Sequence, residues 1–257
     1  MTEKSGVEAK RIVDYCDQLL QSEKFRDYAP NGLQVEGTPL VRRILSGVTA
    51  CQALLDEAVA WEADMVLVHH GYFWKGEGAS VTGIKRRRLK TLLGQDINLL
   101  AYHLPLDAHP KLGNNARLAR LLGVEIQDGL EPGNPLSVGN LGVLSEPMQL
   151  DQFGDLVAHV LDRTPQLISG GGHPIRRLAF CTGAADRMIE QALALGADAF
   201  LSGEISEPVV HFAREAGIHY IAAGHHATER YGVQALGEHL ARHFGIEHRF
   251  CDIDNPV

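Results

Sequence analysis

An α/β fold of two related lobes is what this chain predicts, and three observations carry that expectation. Apolar strand-like runs alternate with helical segments along most of the 257 residues, the pattern of crossover units and a parallel or mixed sheet. Residues 54–67 lie on 188–201 without a gap, pairing Ala58 with Ala192, Ala63 with Ala197, Asp64 with Asp198 and Leu67 with Leu201. Histidines and acids stand at the ends of several apolar runs, where open α/β sheets build their sites.

The first helix is expected over 7–22, with Ile12, Val13, Cys16, Leu19 and Leu20 on one stripe. Tyr28-Ala29-Pro30-Asn31-Gly32 reads as a turn before the short extended run Leu33-Gln34-Val35. Strands are expected near 43–48, 64–69, 97–102, 177–182, 198–202, 218–223 and 247–252. Helices are expected near 52–62, 85–94, 113–122, 151–162, 186–195, 206–216 and 227–244, packed outside mixed sheets. Residues 124–175 break the rhythm with Gly129, Pro132, Gly133, Pro135, Gly139, Gly142 and Pro147, then one amphipathic helix, then Gly170-Gly171-Gly172. The glycine run lacks both the Rossmann spacing and a GK[ST] ending, so it reads as a turn and not a phosphate loop. The expected organisation is therefore a first α/β lobe over 1–123, a linking segment over 124–175, and a second α/β lobe over 176–257.

Composition excludes several function classes. No run reaches the roughly 18 apolar residues of a membrane span. The start Met1-Thr2-Glu3-Lys4-Ser5 has no apolar signal core, so a cytoplasmic location is expected. Cys16, Cys51, Cys181 and Cys251 are scattered, which favours reduced thiols over disulfides or a zinc–thiolate site. The formal net charge of -8 argues against a nucleic-acid coat, and bound divalent cations would offset part of it.

The site chemistry lies in the histidines. His69-His70 ends the run Met65-Val66-Leu67-Val68. Strand neighbours face opposite ways, but the pleat relaxes at a strand end, so two imidazoles there can reach two ions. A structural histidine pair is the alternative. His225 and Glu229 are spaced i, i+4 at a helix start, on one face, the alternative being a capping acid beside a surface histidine. A carboxylate has two oxygens and can bridge two cations, which makes Glu229 the candidate bridge. Asp107 sits in a loop stiffened by Pro105 and Pro110; a plain turn aspartate is the alternative. His103 and Asp107 repeat the His-x-x-x-acid spacing of His225 and Glu229, while His103 and His109 suit hydrogen-bonding support as well as ligation. Such N/O donors admit iron, zinc, manganese or nickel. The basic run 85–90 is either a solvated helix face or an anion-attracting patch. Tyr72-Phe73-Trp74-Lys75 is either core or a stacking wall with a cation for a heterocyclic ligand.

The segments Asp27-Tyr28-Ala29-Pro30-Asn31-Gly32-Leu33-Gln34-Val35, Val68-His69-His70-Gly71-Tyr72-Phe73-Trp74, His103-Leu104-Pro105-Leu106-Asp107 and Gly224-His225-His226-Ala227-Thr228-Glu229 resemble the signatures of the GTP cyclohydrolase I type 2 homologues. This is the Nif-three-like dinuclear-metal family, and the resemblance is to its short bacterial YbgI-type members. It implies two divalent ions between the lobes, one held by His70, Asp107 and Glu229, the other by His69, His225 and Glu229. It also implies a homo-oligomer, a ring-shaped hexamer with the metal sites facing an inner cavity. The family's name does not establish an activity, and its members share no agreed substrate. Three protein groups per ion leave open positions, as in catalytic sites. His103 is therefore expected near the centre without being a primary ligand, able to exchange protons with a water there. His103 and His226 are the catalytic candidates, with Glu204 a further acid. The expected function is metal-dependent hydrolysis of a nucleotide-like small molecule; the alternative is a non-catalytic metal- or ligand-binding scaffold. No membrane and no nucleic-acid partner are expected.

Overall fold

The computed structural model describes residues 6–257. The chain divides into two compact units, one of residues up to 106 with 232–254, the other of 107–231 with 255–257.

The first unit contains β1 (Val7–Glu8), α1 (Ala9–Leu20), β2 (Gly32–Val35), β3 (Leu40–Val41), β4 (Arg43–Thr49), α2 (Gln52–Ala60), β5 (Met65–His70), α3 (Gly83–Gly94), β6 (Asn98–Ala101) and, from the C-terminal part, β13 (Glu247–Phe250). Its five-stranded sheet has the order β13-β4-β5-β6-β2. β13, β4, β5 and β6 run parallel, and β2 lies antiparallel on β6. β5 is continuously apolar before its histidines because a parallel sheet is covered on both faces. Leu54, Leu55 and Ala58 of α2 and Leu89 and Leu92 of α3 share one core with Val66, Val68 and Leu99. The stripe expected on α1 is seen at Ile12, Cys16 and Leu20, all buried.

The second unit follows with α4 (Leu104–Ala108), which crosses the boundary, then α5 (Asn114–Leu121), β7 (Val124–Gly129), β8 (Asn140–Met148), α6 (Leu150–Leu161), β9 (Gln166–Ile168), β10 (Ile175–Cys181), α7 (Ile189–Ala194), β11 (Ala199–Ser202), α8 (Glu207–Ala216), β12 (His219–Ala222) and the start of α9 (His225–Phe244). Its six-stranded sheet has the order β7-β8-β10-β11-β12-β9. The three parallel strands β10, β11 and β12 form the middle, and β8 and β9 flank them antiparallel.

The stretch 124–175, read from sequence as a link, thus supplies β7, β8, α6 and β9. β7 buries only its first residue fully, so no long apolar run advertises it. Leu118, Leu122, Phe153 and Leu178 share one core cluster, which ties α5 and α6 to the second unit. The return of 232–254 to the first unit rests on β13 pairing with β4, Glu247 opposite Arg43, a long-range contact with no local sequence signal.

The internal repeat has a shared structural device. Asp64 accepts the backbone N–H groups of Arg42 and Arg43 at 2.6 and 3.0 Å. Asp198, its partner in the sequence register, accepts those of Arg176 and Arg177 at 2.9 and 2.7 Å. In both units the carbonyl of this aspartate receives the N–H that opens the next parallel strand, from Asn98 and from His219, each at 3.0 Å. Two small α/β sheets with the same clamp at the same point are related lobes.

Candidate metal centre

In the first unit the donors converge because the strand ends do. β4 pairs with β5 so that Thr49 lies opposite His70, and Thr49 Oγ1 meets His70 Nδ1 at 3.2 Å. His69 is fully buried, and its Nδ1–H donates to the Tyr102 carbonyl at 2.9 Å. Gly71 ends the strand with the Gln34 amide oxygen so close that a β-carbon would sit 2.2 Å from it. That oxygen accepts the Tyr72 N–H at 2.6 Å. Two residues past β6, the His103 N–H donates to Asn31 at 2.8 Å. His103 Nδ1–H donates to Asp27 Oδ1 at 2.7 Å. Burial acts to raise the Asp27 pKa, but hydrogen bonds from His103 and Asn31, the His103 charge and the Tyr28 N–H outweigh it and hold the carboxyl at about 2. His69, His70 and His103 each offer a ring nitrogen within 4.8 Å of the others.

In the second unit, Asp107 sits on the single turn α4. It is 5% exposed, and its Oδ1 accepts from Asn114 Nδ2 at 2.8 Å and from Thr182 Oγ1 at 3.2 Å. His225 opens α9. Its Nδ1–H donates to Glu204 at 2.6 Å, and its Nε2 lies 3.1 Å from Glu229 Oε2, one helical turn on. Glu229 is 2% exposed. Burial acts to lower the His225 pKa, but hydrogen bonds and charge from Glu229 and then Glu204 overcome it and raise the ring to about 9. The ring thus lies between two carboxylates, with Nδ1 on Glu204 and Nε2 facing Glu229 Oε2. A divalent cation can take the place of the Nε2 proton, facing the same Glu229 oxygens.

The histidines share one chemical arrangement. In His69, His103 and His225 the Nδ1–H is given to a carbonyl or carboxylate, which fixes the tautomer and leaves Nε2 as the donor atom. A second-nitrogen anchor of this kind is the usual mark of metal-ligating histidine. All six side chains His69, His70, His103, Asp107, His225 and Glu229 fall in groups able to hold a metal ion.

Other readings resolve differently. His109 Nδ1 accepts the N–H groups of Lys111 and Leu112 at 3.2 and 3.1 Å, closing a turn. His226 is buried, and its backbone N–H donates to the Val257 carbonyl at 2.9 Å. In the basic run, Lys85 pairs with Glu77 at 3.2 Å and Arg88 lies over the Tyr72 ring, while Arg86, Arg87 and Lys90 are exposed. Tyr72 is core, its hydroxyl donating to the Ala50 carbonyl at 2.8 Å, whereas Trp74 lies beside His70 and His103. Asp27, Thr49, Asn114 and Thr182 support these donors from positions that the sequence hardly marks. Of these, Asp27 alone has a local sequence signal, Asn31 four residues on, whose amide donates to it at 2.9 Å.

The family model for Duf34/NIF3 (NGG1p interacting factor 3) matches residues 7–256. The chain belongs to the DUF34/NIF3 family. Among its relatives is a "GTP cyclohydrolase 1 type 2 homolog" of Pseudomonas aeruginosa, 62% identical over 96% of this chain and 97% of that one. A protein of the same description from Haemophilus influenzae is 52% identical over 98% and 100%. Of the solved structures, the protein ybgI, described as of unknown function, has a TM-score of 0.94 at 48% identity, covering 98% of this chain and all of its own. A Thermus thermophilus protein, TTHA1606, has a TM-score of 0.89 at 34% identity with the same coverage. This DUF34/NIF3 chain therefore spans essentially the full length of its relatives. Among the described residues no helix is long and apolar enough to cross a membrane.

Proposed function

We propose that this DUF34/NIF3 protein binds two divalent metal ions and is a metal-dependent hydrolase acting on a nucleotide-like small molecule. The observation that carries the reading is the anchored Nδ1 of His69, His103 and His225, which leaves Nε2 of each ring as the atom able to meet a cation. The ligands are His70, Asp107 and Glu229 for one ion and His69, His225 and Glu229 for the other. A pair of such ions, whether iron, zinc, manganese or nickel, supplies Lewis acidity and brings the pKa of water toward neutrality.

The chain's own groups would do the rest. Asp27 holds the His103 ring so that Nε2 can take or return a proton, making His103 the leading acid–base residue and His226 the second candidate. Glu204 orients His225, and Asn114 with Thr182 orients Asp107. The same reading includes a cytoplasmic homo-oligomer, a hexamer, and the cyclohydrolase label of the relatives suggests a purine-type substrate. Light scattering that gives a monomer over a wide concentration range overturns the oligomer.

Metal analysis with turnover tests the centre. Glu229→Ala should lose both ions, and Asp107→Ala mainly one. Retention of two metals per chain by the Glu229 variant refutes the bridge. A metal-loaded protein that turns over no member of a nucleotide panel refutes the hydrolase and leaves a binding scaffold.

A further inference from the structure

Two aromatic rings from separate loops border the imidazole cluster, and the chemistry above makes no use of them. Trp74 is held in place: its indole N–H donates to the Gly71 carbonyl at 3.1 Å and its backbone N–H to Glu77 at 3.2 Å. The ring meets His103 at 5.1 Å, nearly edge to face, and His70 at 5.9 Å. Tyr28, from the loop that carries Asp27 and Asn31, meets the same His103 ring at 6.4 Å. The Lys75 N–H donates to the Tyr28 carbonyl at 2.6 Å, tying the two loops together.

The backbone just before Trp74 makes a left-handed turn. Phe73 holds a left-handed φ of 64°, which costs a non-glycine residue about 1 kcal/mol or more. That turn follows Tyr72, which is core, and precedes Trp74, which lies against His70 and His103. Lys85 stabilises the turn, lying 5.2 Å from the Phe73 ring centre and 3.2 Å from Glu77. Core packing accounts for Tyr72. It does not account for Tyr28, which is 63% exposed with its ring beside a histidine.

We infer that Tyr28 and Trp74 form a stacking wall beside His103 that takes the fused aromatic ring of a purine nucleotide, a substrate-class assignment that rests on the hydrolase reading. Stacking on rigid aromatic side chains is tolerant of base identity because every base presents a π-face. Hydrogen-bonding atoms on the heterocycle's edge would then lie toward the imidazoles, which a plain hydrocarbon ring cannot exploit.

The chain has two tryptophans, Trp61 and Trp74, so Trp61→Phe leaves Trp74 as the reporter. AMP and GMP are titrated against the purified full chain, as isolated and after chelation, with ribose 5-phosphate and indole as controls; calorimetry on the unsubstituted protein repeats the measurement. Saturable quenching by AMP and GMP, with none by ribose 5-phosphate, is expected. Tyr28→Ala should weaken binding about tenfold, the loss of one base–aromatic stack, and Tyr28→Phe should restore it. Absence of saturable purine binding by both methods overturns the inference, as does equal binding of indole or an unchanged affinity in Tyr28→Ala. Purine binding without hydrolysis supports the wall and overturns the hydrolase; hydrolysis of a substrate lacking an aromatic ring, without purine binding, does the reverse.

Discussion

Gly183→Ala should damage the centre without touching a candidate ligand. Gly183 holds φ +70°, and a β-carbon there would sit 2.2 Å from Glu229 Oε1 and 3.2 Å from His225 Nε2. The residue cannot step aside: its N–H donates to Thr228 Oγ1 at 3.1 Å, and its carbonyl accepts from the Gly203 N–H at 2.8 Å and from Ser202 Oγ at 2.9 Å. A β-carbon in left-handed backbone costs roughly 1–2 kcal/mol. Forcing a methyl into a packed interior adds about 1–3 kcal/mol, for a total on the order of 2–5 kcal/mol. Gly196→Ala is the control, since it has the same φ of +70° and nothing within 4 Å of its β-carbon. Guanidinium unfolding of both variants after chelation measures the two costs, and their difference isolates the contact with Glu229 and His225. Elemental analysis of the proteins as isolated should show metal lost in Gly183→Ala alone. Equal destabilisation in the two variants, with metal retained in both, would refute the reasoning.

The repeated clamp predicts matched penalties: Asp64→Ala and Asp198→Ala each remove the acceptor of two backbone donors and should each cost about 1–2 kcal/mol in denaturant unfolding, and a loss confined to one of them would break the parallel. His248 supplies a pH dependence. Burial lowers its pKa to about 4, against a weaker opposing effect of Glu238, with Ser46 Oγ at 2.7 Å from its Nε2. The unfolded chain therefore takes up a proton below about pH 6.5 that the folded ring refuses, so this stability is present above that pH and is lost as pH falls toward 4, on the order of 2–3 kcal/mol after allowance for partial exposure. Urea titrations of chelated protein from pH 7 to 4 should show His248→Phe with a flatter acid limb; parallel limbs would remove His248 as the cause.

Strands with both faces covered were legible because burial makes them continuously apolar. β4, β5, β6, β10, β11 and β12 all fall within a few residues of their expected places. The flanking strands β7, β8 and β9 were hidden. Antiparallel flanks carry exposed residues and tolerate Gly142 and Pro147 inside β8. The site was legible as far as chemistry concentrates at strand ends: His69, His70, His103, Asp107, His225 and Glu229 stand out in the chain by type and position. Their supports did not. Thr182 reaches Asp107 across 75 positions and Asp27 reaches His103 across 76, and a hydrogen bond between distant segments leaves no periodicity to read.

The anchored imidazoles also bear on time. A histidine on a loose side chain can let go of an ion by a rotamer hop, which takes nanoseconds or less at an exposed position. His69 cannot hop without breaking its bond to the Tyr102 carbonyl in a fully buried setting, and His225 cannot without abandoning Glu204. Departure of an ion bound there would be gated by opening of the β5 end or of the first turn of α9, events governed by local unfolding and far slower than side-chain rotation. Slow exchange, more than tight equilibrium binding, would let such a centre keep whichever ion reached it first.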